Sequence, residues 1–156
     1  MTVVELIEAL AQRRETLAVA ESLTGGLLCA SIVDVPGASR VFRGGLVAYA
    51  TDLKAALAGV PAQLLRERGA VDPDVAAALA AGARDRCGAD WGLGITGVAG
   101  PEPQDGRPVG TVFIAVIGPG GTQVCEHVLP GDRAAVRTAA VTAALDLLAE
   151  RVTPPM

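Results

Sequence analysis

A chain of 156 residues is long enough to bury one core and short for two. Hydrophobic residues make up 51% of it but aromatics only 3%, so the core has to be assembled from Ala, Val, Leu and Ile. A formal net charge of -4 and a pI of about 4.9 argue against general attraction to nucleic acid or anionic lipid, and no apolar run approaches the roughly 20 residues needed to span a bilayer.

The N-terminus lacks the basic-then-apolar layout of a secretory signal, and the expected location is the cytoplasm. Cys29, Cys87 and Cys125 are odd in number and far apart, so reduced, mostly buried thiols are expected, with neither disulfide nor zinc. No cluster of His, Cys or carboxylate has metal-ligand spacing, and neither metal nor cofactor is expected.

Thr2-Val3-Val4-Glu5 matches a capping box, and Val3, Leu6, Ile7 and Leu10 form a stripe that predicts a first helix to about Arg13. Thr16 to Ala20 reads as a short buried strand. It ends at Glu21-Ser22-Leu23-Thr24-Gly25-Gly26, after which Leu27, Leu28, Ser31 and Ile32 recur on one helical face. Val41 to Ala50 is strand-like, with Gly44-Gly45 marking a bulge or a close contact. Asp52 can cap a short helix that holds Lys54 and ends at Gly59, and Pro61 suits the first turn of the next, ending near Gly69. Asp72-Pro73 opens an alanine-rich helix to about Cys87.

Trp91 to Thr96 is a further strand, followed by a run from Gly97 to Gly106 that cannot sustain regular structure. Thr111 to Ile117 and Thr122 to Leu129, separated by Gly118-Pro119-Gly120-Gly121, predict an antiparallel hairpin. Asp132 can cap a last helix, with Arg151 to Met156 as a frayed tail. The sum is one α/β domain over residues 1–156, a three-layer sandwich whose mixed sheet has a C-terminal β-hairpin and helices on both faces. Its small-residue helices and exposed hairpin could serve a homodimer interface.

Ser22 falls where a strand gives way to a helix, a place where unpaired N–H groups can hold an anion or a developing oxyanion. The plainer reading is that Ser22 or Thr24 caps the helix while Gly25 and Gly26 allow tight packing. Lys54 is the only lysine, every other basic residue being arginine, and an amine can lose a proton where a guanidinium cannot. That marks it as a candidate base.

The Glu21-to-Gly26 stretch resembles the start of the CinA C-terminal domain family, whose enzymatic members are nicotinamide mononucleotide deamidases. Three further segments resemble the family in its order: Val47-Ala48-Tyr49-Ala50-Thr51-Asp52-Leu53-Lys54, then Gly94-Ile95-Thr96-Gly97-Val98-Ala99-Gly100-Pro101, then Pro108-Val109-Gly110-Thr111-Val112. Gly131-Asp132-Arg133 extends the likeness to the last helix. Glu102, Pro103, Gln104 and Asp105 depart from the family's more glycine-rich loop. Family members often carry an N-terminal domain with a pyrophosphatase activity, and that activity is not expected of this sequence.

The resemblance implies metal-independent hydrolysis of a pyridinium carboxamide on a ribose phosphate. Ser22 would be the nucleophile, with backbone N–H groups near Thr24 and Gly25 at the oxyanion. Lys54 would be the base, Tyr49 would share its proton path, and Thr96 would orient the carboxamide or the lysine. Gly26, Gly97 and Gly100 would line the substrate site, and Arg133 would meet the phosphate. His127, the only histidine, is expected to pack on the second hairpin strand without a catalytic role. A nucleotide-binding regulatory module and an amidase for another carboxamide stay open beside this reading.

Overall fold

The computed structural model describes residues 1–153. Helix α1 (Val3–Arg13) begins with the capping box, Thr2 and Glu5 each accepting the other's amide, and ends on Arg14 in a left-handed conformation. Then come β1 (Leu17–Glu21), α2 (Leu27–Val33), β2 (Phe42–Val47), α3 (Thr51–Ala58), α4 (Ala62–Arg68) and α5 (Pro73–Cys87). The chain continues through β3 (Trp91–Gly97), β4 (Thr111–Gly118), β5 (Gly121–Val128) and α6 (Arg133–Val152). The expected three-layer α/β sandwich is what forms.

The sheet order is β2-β1-β3-β4-β5, with β1 parallel to both β2 and β3, and with β3, β4 and β5 antiparallel in sequence. Alternation along the strands splits the core. Leu17, Val19, Leu93, Ile95, Val112, Ile114 and Val116 cluster with residues of α1, α2 and α6. Ala18 and Ala20 pack instead with α3, α4 and α5, while Phe113 and Ala115 meet Ala76 and Ala80 of α5. The face under α5 is poor in bulk because the helix lies directly on the strands. A Cβ on Gly92 would stand 2.1 Å from the Ala80 carbonyl oxygen, and one on Gly94 2.4 Å from that of Ala76. Gly94→Ala must therefore push α5 off the sheet, and a loss of about 3 kcal/mol in chemical denaturation is expected. An unchanged midpoint would show that this contact is not close-packed.

Several boundaries move. The first strand is displaced by one residue, so Glu21 is its last member, and the second stops at Val47 rather than Ala50. Asp52 does not cap α3: Ala50 occupies that position, and Asp52 sits in the first turn, where its charge still meets the positive helix end. Arg151 and Val152 belong to α6 rather than to a frayed tail, because Arg151 lies over the Trp91 ring and donates to the Gly121 carbonyl. Thr153 caps the helix end, and the remainder of that expected tail, 154–156, lies outside the described residues. The Gly44-Gly45 expectation holds both ways, since the β1–β2 register shifts beside Gly44 and a Cβ on Gly45 would stand 2.3 Å from Cys29 Sγ. All three cysteines are free and half-buried. Among the described residues, no helix is long and apolar enough to cross a membrane.

The β1–β2 connection passes over one face through α2, and the β2–β3 connection over the other through α3, α4 and α5. The carboxyl ends of β1 and β3 thus border a topological switch point, the place in an open α/β sheet where adjoining loops diverge and leave a crevice.

Candidate active site

Ser22 follows the last residue of β1 and is 6% exposed, its amide held by the Ile95 carbonyl of β3 at 3.1 Å. Lys54 comes from the first half of α3 and is 1% exposed, an unusual depth for an amine. Its Nζ lies 2.8 Å from Ser22 Oγ, 2.9 Å from the Ala48 carbonyl and 3.1 Å from the Tyr49 carbonyl. Burial pushes the ammonium down to about 8, against a smaller opposing pull from the Asp105 carboxylate. A neutral amine keeps two N–H bonds and gains a lone pair. With the two carbonyls taking the N–H bonds, the lone pair faces the serine hydroxyl, which is the arrangement a general base requires.

A cavity of about 300 Å³ opens beside this pair, within the range of small-molecule sites. Ser22, Leu23, Tyr49, Gly97, Gly100 and Arg133 are among its lining residues. Arg133 is the first residue of α6; it donates to the Gly100 carbonyl at 2.6 Å and to the Tyr49 hydroxyl at 3.1 Å. The Tyr49 phenol, 59% exposed, therefore stands at the mouth with Arg133. Its carbonyl, not its hydroxyl, meets Lys54.

Thr96 is buried and outside the cavity wall; its hydroxyl donates to the Ala70 carbonyl at 2.8 Å. The amide of the same Ala70 donates to Asp105 at 2.9 Å, so the strand end and the loop grip one residue ahead of α5. The loop itself is more ordered than its composition suggests. Asp105 and Gly106 both have positive φ, and Gln104 and Arg107 exchange two backbone hydrogen bonds around them. An Asp-Gly pair suits this tight reversal. Arg107 then stacks over Phe113 and donates to the Val71 carbonyl. His127 lies on the edge strand β5 opposite Val112 and does not line the cavity.

The helix start behind Ser22 does not wait for a ligand. Glu21, fully buried, accepts the amides of Gly26, Leu28 and Cys29 at 2.9, 3.1 and 2.9 Å. Burial works against its charge, but the Cys29 thiol, the neighbouring Thr24 hydroxyl and these amides outweigh it and hold the carboxyl below its ordinary value. That hydroxyl is buried and makes no hydrogen bond of good geometry, so the amides carry the greater weight. Neither Ser22 nor Thr24 caps the helix, and Gly25 and Gly26 do not offer free N–H groups: the Gly25 amide is bound to the Ser22 carbonyl at 3.0 Å. Across the turn, Arg137 donates to the carbonyls of Leu23 at 2.9 Å and Thr24 at 3.1 Å.

Glu21 and Arg137 were not foreseen as site residues. The available signals were an acid inside a buried strand and an arginine four residues after Arg133, on the same helical face.

The fold and this site define a three-layer α/β protein with a buried serine–lysine pair at the switch point of its sheet. A family model described as the CinA C-terminal domain matches residues 2–152, and the chain belongs to that family. It is 58% identical over 139 residues to a CinA-like protein of Frankia casuarinae, covering 89% of this chain and 32% of that one. A CinA-like protein of Geobacter sulfurreducens is 49% identical over 138 residues, covering 88% and 33%. The chain thus spans about a third of the length of the curated relatives it matches. Among solved structures, a CinA superfamily protein from Escherichia coli superposes with TM-score 0.91 at 32% identity, covering 96% of this chain and 90% of that one. The competence damage-inducible protein A of Klebsiella pneumoniae does so with TM-score 0.92 at 30% identity, covering 100% of both.

Proposed function

We propose that this chain is an amidohydrolase that converts nicotinamide mononucleotide to nicotinic acid mononucleotide and ammonia, with Ser22 as nucleophile and Lys54 as base. The observation that carries this reading is the 2.8 Å contact between Lys54 Nζ and Ser22 Oγ, made by a lysine that burial brings to about 8. Ser22 Oγ attacks the carboxamide carbon and passes its proton to Lys54. The lysine returns that proton to the departing nitrogen, so ammonia leaves and an acyl-enzyme forms. Water, deprotonated in turn by Lys54, releases the acid.

The substrate joins a cationic ring to an anionic phosphate, and the cavity has the matching polarity: Arg133 lies at its mouth and the Glu102 carboxylate on its loop side. Arg133→Ala is expected to raise KM for the nucleotide about 10- to 100-fold with little change in kcat, because a phosphate contact is shared by ground and transition states. An unaltered KM would take the phosphate away from Arg133.

The testing experiment measures ammonia release by purified protein, with a chelator present, from nicotinamide mononucleotide, nicotinamide riboside and free nicotinamide. Release that needs the phosphate and survives chelation is expected. Nucleotide binding with no release would point to a regulatory module. Release from a different carboxamide would assign the pocket another substrate, a reading favoured by Glu102 and Gln104, which line the cavity and depart from the family's glycine-rich loop.

A further inference from the structure

The turn after the nucleophile is held from two sides by side chains of opposite charge. On one side Glu21 takes the amides of Gly26, Leu28 and Cys29. On the other, the Arg137 guanidinium reaches the carbonyls of Leu23 and Thr24. A Cβ on Gly25 would stand in ordinary contact with its terminal nitrogen, at 3.5 Å. The Thr24 carbonyl also accepts the Leu27 amide at 2.9 Å, so it is bound twice.

These bonds decide which donors remain. The Gly25 amide closes the turn on the Ser22 carbonyl, and the amides of Gly26, Leu27, Leu28 and Cys29 are all engaged within the protein. Among the described residues, the amides of Leu23 and Thr24 carry no hydrogen bond, and Leu23 shares the cavity wall with Ser22. The 23–24 peptide unit is trans, with its C=O and N–H pointing in opposite directions. Arg137, by drawing the Leu23 carbonyl towards α6, turns the Thr24 N–H the other way.

We propose that Arg137 is a positioning residue for catalysis: it locks the 23–24 and 24–25 peptide planes and so fixes the Thr24 amide beside that of Leu23, whose own plane is held by the Gly25 amide on the Ser22 carbonyl, and these two amides form the oxyanion site. This rests on Ser22 being the nucleophile. An oxyanion formed at Ser22 needs donors within hydrogen-bonding reach whose direction is fixed before the reaction, because reorienting them during it forfeits their advantage. Arg137 reaches two carbonyls with one rigid planar fork, which a lysine cannot reproduce.

The test compares wild type, Arg137→Lys and Arg137→Met in two assays: steady-state ammonia release, and the rate at which a fluorophosphonate labels Ser22, whose adduct places an oxygen at the same donors. Both variants are expected to lose about 10²-fold in kcat and in labelling rate. KM should stay within about threefold and the pH at which activity rises should not move, since neither Arg133 nor Lys54 is touched. Should Arg137→Met fail to fold by circular dichroism, Arg137→Lys, which keeps stem and charge, supplies the reading. Labelling by folded Arg137→Lys within twofold of wild type would overturn the proposal, as would a rise in KM at constant kcat. Labelled wild type that releases no ammonia would sink the proposed substrate while leaving the labelling comparison able to decide the role of Arg137.

Discussion

Lys54→Met is expected to lose turnover by at least about 10³-fold while changing the way stability depends on pH. The folded-state pKa of about 8 lies below the lysine's ordinary 10.5. At pH values below about 8 both folded and unfolded chains hold the proton, and the fold bears the full cost of burying it. Between about 8 and 10.5 the unfolded chain still holds the proton and the folded chain has released it, so wild-type stability rises with pH across this window. Above it the term vanishes. The upper limit of the change is about 3 kcal/mol.

Methionine carries no such term, although its variant leaves the carbonyls of Ala48 and Tyr49 without their donor at every pH. The difference in unfolding free energy between the two proteins should therefore shift by about 2–3 kcal/mol in favour of wild type from pH 7.5 to 10.5. Parallel urea titrations at the two pH values read it. A constant difference would mean that the amine is not depressed, and Lys54 would lose its claim to be the base. The same shift sets the activity profile. Roughly a tenth of the lysine is neutral at pH 7, so wild-type kcat/KM should climb about tenfold per unit below pH 8 and level off above it.

The layered fold was legible because its signals are local and agree with one another. The capping box at Thr2, Pro73 behind Asp72 and the glycine-rich hairpin turn each act within a few residues. Errors fell where a tertiary contact outweighed a local preference, as with Arg151, which Trp91 and the Gly121 carbonyl keep in the last helix. The site was legible in its residues and much less in their pairing. Lys54 stood out as the one lysine, but only the family resemblance paired it with Ser22, since nothing in the spacing between positions 22 and 54 foretold that β2 would bring its helix back over Ser22. The helix start was misread for a physical reason. Spacing shows that free amides exist at such an end, and only the fold shows that Glu21, from the strand before it, has already taken them.

Ser22→Ala is expected to abolish turnover of nicotinamide mononucleotide, by about 10³-fold or more, with nucleotide affinity nearly unchanged. The contacts proposed for the nucleotide, to Arg133 and the cavity wall, would not involve the hydroxyl, so binding and chemistry should separate cleanly. The fold should survive, because Ser22 makes its structural bonds through the backbone: its amide to Ile95 and its carbonyl to Gly25. Lys54 keeps two of its three acceptors. Two outcomes distinguish a nucleophile from a residue that merely orients the lysine. Mass spectrometry of wild type quenched during turnover should find the pyridine acyl group on Ser22, and the variant should show no adduct anywhere. Substantial turnover by Ser22→Ala would mean that Lys54 activates water directly, and the 2.8 Å contact would then serve to position the amine instead of to receive the serine's proton.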